Sequence, residues 1–444
     1  MARVPPGLRR WALRREEQRT VKTKGLRWWV VSLVALATVI NYVDRNALGV
    51  MWPAISEELG MDKWDYAFIV NCFMVGYLIG QSAFGKIFDA IGTRLGFVLA
   101  IIGWSVAVAL HAVVRTAFQF SVVRFAMGVA EAGNWPGATK SNAEWFPISE
   151  RALAQGIFNS GASLGAVVSA PLVAYLYLVI GWKATFVLLG GLGFLWLVPW
   201  LIVFKSGPDS HPWLSAEERE HILTGQRVPG EGGEESLANT YAPGWFEMLK
   251  HRQSWSVIAS RFFLDPVWWL FVSWLPLYLV DQFGFDIKQI GLFAWVPYVG
   301  AATGAIFGGW LARHLLQRGW HVDRTRKTTI AVGGILMFPA LLATTYAFTP
   351  LLAVLLIAVI LFGFQIAIGS IQTLPSDFYS GESVGSLAGV GGTAAVVGVM
   401  FMNFVIPAVT ETSWVPAFVI GALLVPLALL SVWLLARKIE PVTP

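Results

Sequence analysis

Runs of about 20 apolar residues recur along this chain, each closed by a short cluster of charged residues, Gly or Pro. An α-helix rises about 1.5 Å per residue, so runs of this length match the roughly 30 Å of hydrocarbon in a bilayer. They fall at about 28–49, 64–88, 94–113, 118–142, 152–179 and 182–204, and again at about 254–282, 289–314, 327–347, 350–376, 383–409 and 413–436. The pattern predicts an all-α membrane protein with twelve transmembrane helices in two six-helix bundles, 28–204 and 254–437. A basic tail (1–27), a central loop (205–253) and a short end (438–444) complete the chain. Gly, Pro and polar residues within spans are tolerated where neighbouring helices or a watered cavity satisfy the freed groups. In the central loop, Ser215-Ala216-Glu217-Glu218 has the spacing of a capping box and predicts a short surface helix near 216–224.

Composition sharpens this picture. The 444 residues are 56% hydrophobic and 13% charged, with mean hydropathy +0.62, which excludes an ordinary soluble domain. The single cysteine, Cys72, lies in an apolar run and excludes an intrachain disulfide framework. The basic start precedes a long first span without a cleavage-type site, so that span is read as uncleaved. Of the 32 Lys and Arg, Lys63, Arg115, Lys183 and Lys288 fall in odd-numbered loops, and Arg45, Arg124 and Arg261 fall within spans. The remainder lie in the tails and even-numbered loops, which predicts that both termini are cytoplasmic.

The halves echo each other. Trp182-x-x-x-Phe186-Val187 opens the sixth span and Trp414-x-x-x-Phe418-Val419 the twelfth; Gly85-x-x-x-Asp89 closes the second and Gly309-x-x-x-Arg313 the eighth. Two repeats around a central cavity are the architecture of alternating-access transporters.

Charges at bilayer depth are costly and mark function. On the first span Asn41, Asp44 and Arg45 are spaced i, i+3, i+4, with Tyr42 on the side of Arg45. Neighbouring residues diverge by about 100°, so Asp44 and Arg45 cannot both point straight into a cavity. On the fourth span Arg124 and Glu131 lie seven apart, too far along the axis to pair but facing one cavity. Gly128 between them either leaves room for a ligand or permits close helix packing. Arginine's planar fork suits a carboxylate, so Arg45 and Arg124 are the expected anion binders, unless each is permanently paired with Asp44 or Glu131. Carboxyls taken out of water accept protons more readily, which makes Asp44 and Glu131 the expected proton carriers. Two arginines and two carboxylates sum to zero; a monoanion makes the site negative and one proton restores neutrality. Tyr42, Tyr77, Gln81, Asn159, Ser163, Trp268, Trp269, Ser273, Gln365, Ser370, Gln372 and Thr393 are candidates for contacting the ligand. Arg261, one turn before Asp265, reads as a gate or structural pair. Asp89, with Gly85, Lys86 and Arg94 nearby, is expected to gate by contacting a helix end across the interface between the halves.

The stretch GKIFDAIGTR resembles the loop signature of the major facilitator superfamily, and NYVDR, RFAMGVAEAGNWPG and EWFPISER resemble its anion:cation symporter family. KGLRWW, FNSGASLGA and RFFLDPVWW…GFDIKQIGLFAWVP are similar to the hexuronate transporter branch, over about 24–438. The resemblance implies the major facilitator fold and a bacterial inner-membrane symporter importing glucuronate or galacturonate with protons. It also implies that Asp44 and Glu131 are the protonatable pair, as in galactonate-type relatives. Ser160-Gly161-Ala162 stands where galactonate-type members carry a Gln, and Asp44 is present where some hexuronate carriers lack it, so the substrate and proton stoichiometry stay open.

The expected partners are a small organic anion of the sugar-acid class, protons and the lipid bilayer, with the chain acting as a monomer; no nucleic acid, cofactor or metal is expected. Gly161-Ala162-Ser163-Leu164-Gly165 matches the G-x-S-x-G serine motif, but within an apolar helix it lacks the strand-to-helix turn that catalysis needs, so the chain is read as no enzyme. Symporters of aldonates or aldarates, a non-transporting sensor and a channel are the rival readings.

Overall fold

The computed structural model describes residues 24–226, 243–379 and 382–442. The first residues of the basic tail, the central-loop stretch 227–242 and the last two residues lie outside them. The described residues form helices and connecting turns. These are α1 (Leu26–Leu59), α2 (Lys63–Leu110), α3 (Ala117–Glu131), α4 (Asn134–Trp145), α5 (Ile148–Val203), α6 (Ala216–Gly225) and α7 (Trp245–Met248). There follow α8 (Arg252–Phe283), α9 (Ile287–Phe293), α10 (Val296–Gln317), α11 (Val322–Thr344), α12 (Pro350–Ile371), α13 (Leu374–Phe378), α14 (Glu382–Val409) and α15 (Val415–Ser431), the last running into a π-helical turn at Val432–Ala436.

Among the described residues nine helical stretches are long and apolar enough to cross a membrane. Two helices are too long for one crossing: α5 has 56 residues, about 84 Å at helical rise. Both are reversed by a glycine in the left-handed region, Gly92 (φ 77°) in α2 and Gly181 (φ 75°) in α5. The contacts report the reversal. Gly161 faces Ala35, Gly165 faces Val39 and Ser169 bonds Asn46, so the first part of α5 runs parallel to α1. After Gly181, Lys183 pairs with Glu58 and Trp196 donates to the Leu33 carbonyl, so the second part runs antiparallel. A side chain would be strained at these φ values, whereas Gly adopts them freely. Each reversal folds one long helix into two antiparallel segments, and α3 with α4 follows as one interrupted segment.

The two halves repeat in their end structures. Gly60 and Gly284 close α1 and α8 with left-handed caps, at φ 66° and 67°. Asp62 and Asp286 then cap α2 and α9 through reciprocal boxes with Asp65 and Gln289. Trp182 donates to Glu58 and Trp414 to Asp281, each tying the last helix of its half to the first.

α1 begins after Gly25 with no side-chain cap of its own. Its free amides are taken by Glu218 of α6, whose carboxylate accepts from the nitrogens of Gly25, Leu26 and Arg27 at 2.8, 3.2 and 3.4 Å and from the Arg27 guanidinium at 2.8 Å. The expected capping box at 215–218 is therefore half formed. Ser215 accepts from the Glu218 nitrogen, but the Glu218 side chain caps α1 instead. Three backbone donors and a guanidinium offer a carboxylate more than one amide can.

At the end of the molecule holding Leu59, Lys63 and Asp281 the halves are clasped. Lys63 pairs with Asp281 at 2.7 Å and donates to the Thr410 carbonyl. The Tyr66 hydroxyl donates to the Ser273 carbonyl at 2.5 Å. Trp274 donates to Asn403, whose amide donates to Asn71, which donates to the Met400 carbonyl.

Candidate functional site

The buried charges meet between α1 and α3, beside α8. Arg45 donates from Nε and a terminal nitrogen to one oxygen of Glu131, at 3.0 and 2.9 Å, and to Asn41 Oδ1 at 3.1 Å. Its guanidinium also lies over the rings of Tyr42, Phe73, Tyr77 and Trp269, at 5.0, 5.1, 5.1 and 5.7 Å. Cation–π contacts of this kind hold a guanidinium in place without neutralising it. Trp269 brings the carboxy-terminal half to this arginine. The direct ion pair across α1 and α3 answers one question raised by spacing: Glu131 is matched by Arg45, not by Arg124 on its own helix.

Arg124 is 3% exposed, and its guanidinium reaches the Arg45 backbone carbonyl at 3.4 Å and the Met127 sulfur at 3.5 Å. Its Nε has no partner, and no carboxylate among the described residues lies within ion-pair distance of it. Asp44 is 1% exposed with neither carboxylate oxygen hydrogen-bonded. Arg45 and Arg124 line one cavity of about 30 Å³. The cavity lies between Arg45 and the Tyr66–Ser273 contact, so Ser273 borders it. Chemically this is a concave, mostly apolar site with two cationic forks, one paired and one open.

Gly128 is decided by packing: a Cβ there would lie 2.2 Å from the Phe73 carbonyl oxygen, so the glycine lets α3 press onto α2. Gly161 and Gly165 do the same for α5 on α1. The remaining candidates separate. Tyr77 is buried against Arg45, while Gln81 one turn on is exposed. Asn159 is exposed and accepts from Gln155; Ser163 is half-buried. Trp268 stacks on Phe364 within its own half, and Ser370 is bonded to Thr329. Gln365 is half-buried, and Gln372 and Thr393 are exposed. Arg261 and Asp265 form a bidentate pair at 2.7 and 3.0 Å. Asp89 pairs with Lys140 at 2.7 Å and Arg94 donates to the Leu201 carbonyl, both within the amino-terminal half. A Cβ at Gly85 would meet nothing within 4 Å. Sequence reasoning missed the clasp of Lys63, Tyr66, Asn71, Asp281 and Asn403. The pairs Gly60/Gly284 and Asp62/Asp286, at one constant offset, were the available signal that these loops correspond.

Two halves with matching helix ends, clasped at one end and enclosing buried charges, have the architecture of a secondary transporter. The family model described as Major Facilitator Superfamily matches residues 34–398, and the chain belongs to that superfamily as a multi-pass membrane transporter. It is 33% identical to the hexuronate transporter of Escherichia coli (strain K12) over 417 residues, covering 93% of this chain and 94% of the relative. It is 35% identical to the galacturonate transporter of Dickeya chrysanthemi over 318 residues, covering 71% and 90%. In fold it is similar to a bacterial homologue of the human lysosomal transporter Spinster in an inward-facing, unoccupied conformation, with a TM-score of 0.68, 17% identity and coverage of 94% and 96%.

Proposed function

We propose that the chain is a proton-coupled symporter that imports a sugar-acid anion, foremost a hexuronate, across a bacterial inner membrane by alternating access, with both termini cytoplasmic. The observation that carries this reading is Arg124, a guanidinium 3% exposed, without a carboxylate partner, lining one cavity with Arg45. A buried unpaired charge is unfavourable by several kcal/mol, about what an arriving carboxylate would offset. The names of the two relatives, which concern hexuronate and galacturonate, support the choice of anion.

In this mechanism the substrate carboxylate engages Arg124 and competes with Glu131 for Arg45. Glu131, released from its two hydrogen bonds, becomes a place for a proton. Asp44 is the second: neither of its oxygens carries a hydrogen bond that a proton would displace. With anion and proton both bound the site returns to the formal neutrality of the empty carrier, and the loaded carrier can reorient. The clasp at Lys63, Tyr66 and Asn71 closes the external side in this state and opens in the other.

The test is uptake by proteoliposomes. Glucuronate is expected to accumulate when the outside is made acidic, to alkalinise the medium as it enters, and to stop accumulating when an uncoupler is added. Accumulation indifferent to both the pH gradient and the uncoupler would remove proton coupling. Aldonate or aldarate uptake faster than that of either hexuronate would move the substrate to the rival branch.

A further inference from the structure

Asn46 sits one place after Arg45 and is only 8% exposed. Its amide nitrogen donates to the Ser169 hydroxyl at 3.0 Å, and that hydroxyl donates to the Ala166 carbonyl at 2.9 Å. A hydroxyl has one proton to give, so Ser169 is committed to accepting from Asn46. This arrangement sets which end of the amide is nitrogen and directs the choice that would otherwise be ambiguous. The Asn46 carbonyl oxygen is left buried and without a donor. Asn46 lines the cavity that also holds Arg45, Arg124 and Ser273.

At about 30 Å³ that cavity takes a group the size of a water and not a sugar ring. A hydroxyl on a ring carbon has that size, and it brings the proton that an amide oxygen lacks. We infer that Asn46 is a specificity-determining residue whose carbonyl oxygen accepts a hydrogen bond from one hydroxyl of the sugar acid. The inference rests on the sugar-acid reading above and adds to it a point where the carrier reads the hydroxylated part of its substrate. The same lining includes the apolar Leu48, Val70 and Val272, while its arginines are donors only, so an acceptor for a hydroxyl proton has to come from a group such as Asn46. A site built to bond a hydroxyl disfavours the analogue lacking it, because the protein group is then left unpaired.

The experiment is a thermodynamic cycle on purified full-length protein, by calorimetric binding of glucuronate and of its monodeoxy analogues, one for each ring hydroxyl. Asn46→Ala is expected to weaken glucuronate binding about tenfold, a hydrogen-bond-sized loss. One deoxy analogue is expected to bind the wild type and Asn46→Ala equally well, while the others lose the same factor as glucuronate. Ser169→Ala, which keeps the amide but frees its orientation, is expected to weaken binding less and with the same analogue insensitive; it serves if Asn46→Ala fails to fold. Equal losses for every analogue in both variants would mean a merely structural role and overturn the inference, as would no loss at all. Wild-type protein that binds no uronate would instead overturn the proposed substrate, and this inference with it.

Discussion

In the amino-terminal half, Asp44, Arg45, Arg124 and Glu131 lie at mid-depth with one ion pair among them and two groups left open. In the carboxy-terminal half the intramembrane charges are Arg261 and Asp265, one turn apart on α8 and closed on each other at 2.7 Å. The remaining inward contribution described from that half is aromatic and polar, led by Trp269 over Arg45 and Ser273 at the cavity. Two halves with the same helix ends and the same Trp-to-carboxylate ties thus have different interiors. A repeat conserves the connections that fold and hinge it, while the chemistry of the ligand can be carried on one side.

The sharpest way to break this asymmetry is to compare Arg45→Ala with Arg261→Ala. Arg45→Ala strands the fully buried Glu131, and removing one partner of such a pair costs about 3–5 kcal/mol. It should abolish glucuronate-induced thermal stabilisation. Arg261→Ala should leave that stabilisation within a fewfold of the wild type; equal losses in the two would end the assignment of anion binding to one half. Arg45→Lys should not rescue, since an ammonium cannot reproduce the two-pronged contact with Glu131.

Next in size is Glu131→Gln, which keeps the volume and removes the charge. Proton-driven accumulation should be lost while exchange of labelled for unlabelled substrate continues, read in the same proteoliposomes. A variant that still concentrates substrate under an acidic outside would exclude Glu131 as a carrier of protons.

A smaller effect is expected at the clasp. Asn71→Ala removes two hydrogen bonds joining the halves and Asn403→Ala one, worth about 1 kcal/mol apiece, and each should shift the balance of the two facing states several-fold. Spin labels across the clasped end should report a longer distance population. An unchanged distance distribution in both variants would show that the clasp does not hold the state.

The smallest effects lie at the surface, where α6 caps α1. Glu218→Ala removes four accepted hydrogen bonds and should lower the unfolding temperature by a few degrees without altering substrate affinity. Beside it, Glu150 bonds Arg27 and His221. Burial pushes the Glu150 carboxyl up, but the His221 hydrogen bond and the Arg27 charge outweigh it and hold it below its ordinary value. A depressed carboxyl contributes stability above its unfolded value, which is lost as pH falls through the folded one. This contact should therefore persist through mild acidification and weaken only once pH falls below the ordinary carboxylate range, as followed by hydrogen exchange of the first turn of α1.

The sequence by itself determined the lengths of the apolar runs, the polar interval between two sets of spans, the short surface helix and the rarity of charge inside. Each of these is local: hydrophobic length, helical period and capping spacing are properties of neighbours along the chain. Two echoes in the loops were also enough to suggest a repeat. What only the tertiary structure decided is which distant residues meet. Arg45 pairs with Glu131 across 86 positions, so the spacing of Arg124 and Glu131 on one helix was no guide to partnership. Glu218 is spaced to cap its own helix and caps α1 instead, because packing brings three free amides and a guanidinium to it. Gly128, open to two readings on one helix, has one role once the Phe73 carbonyl lies where its side chain would be. Asn46 has no local signature, since a free carbonyl oxygen becomes a recognition element only when Ser169 and a cavity are packed beside it.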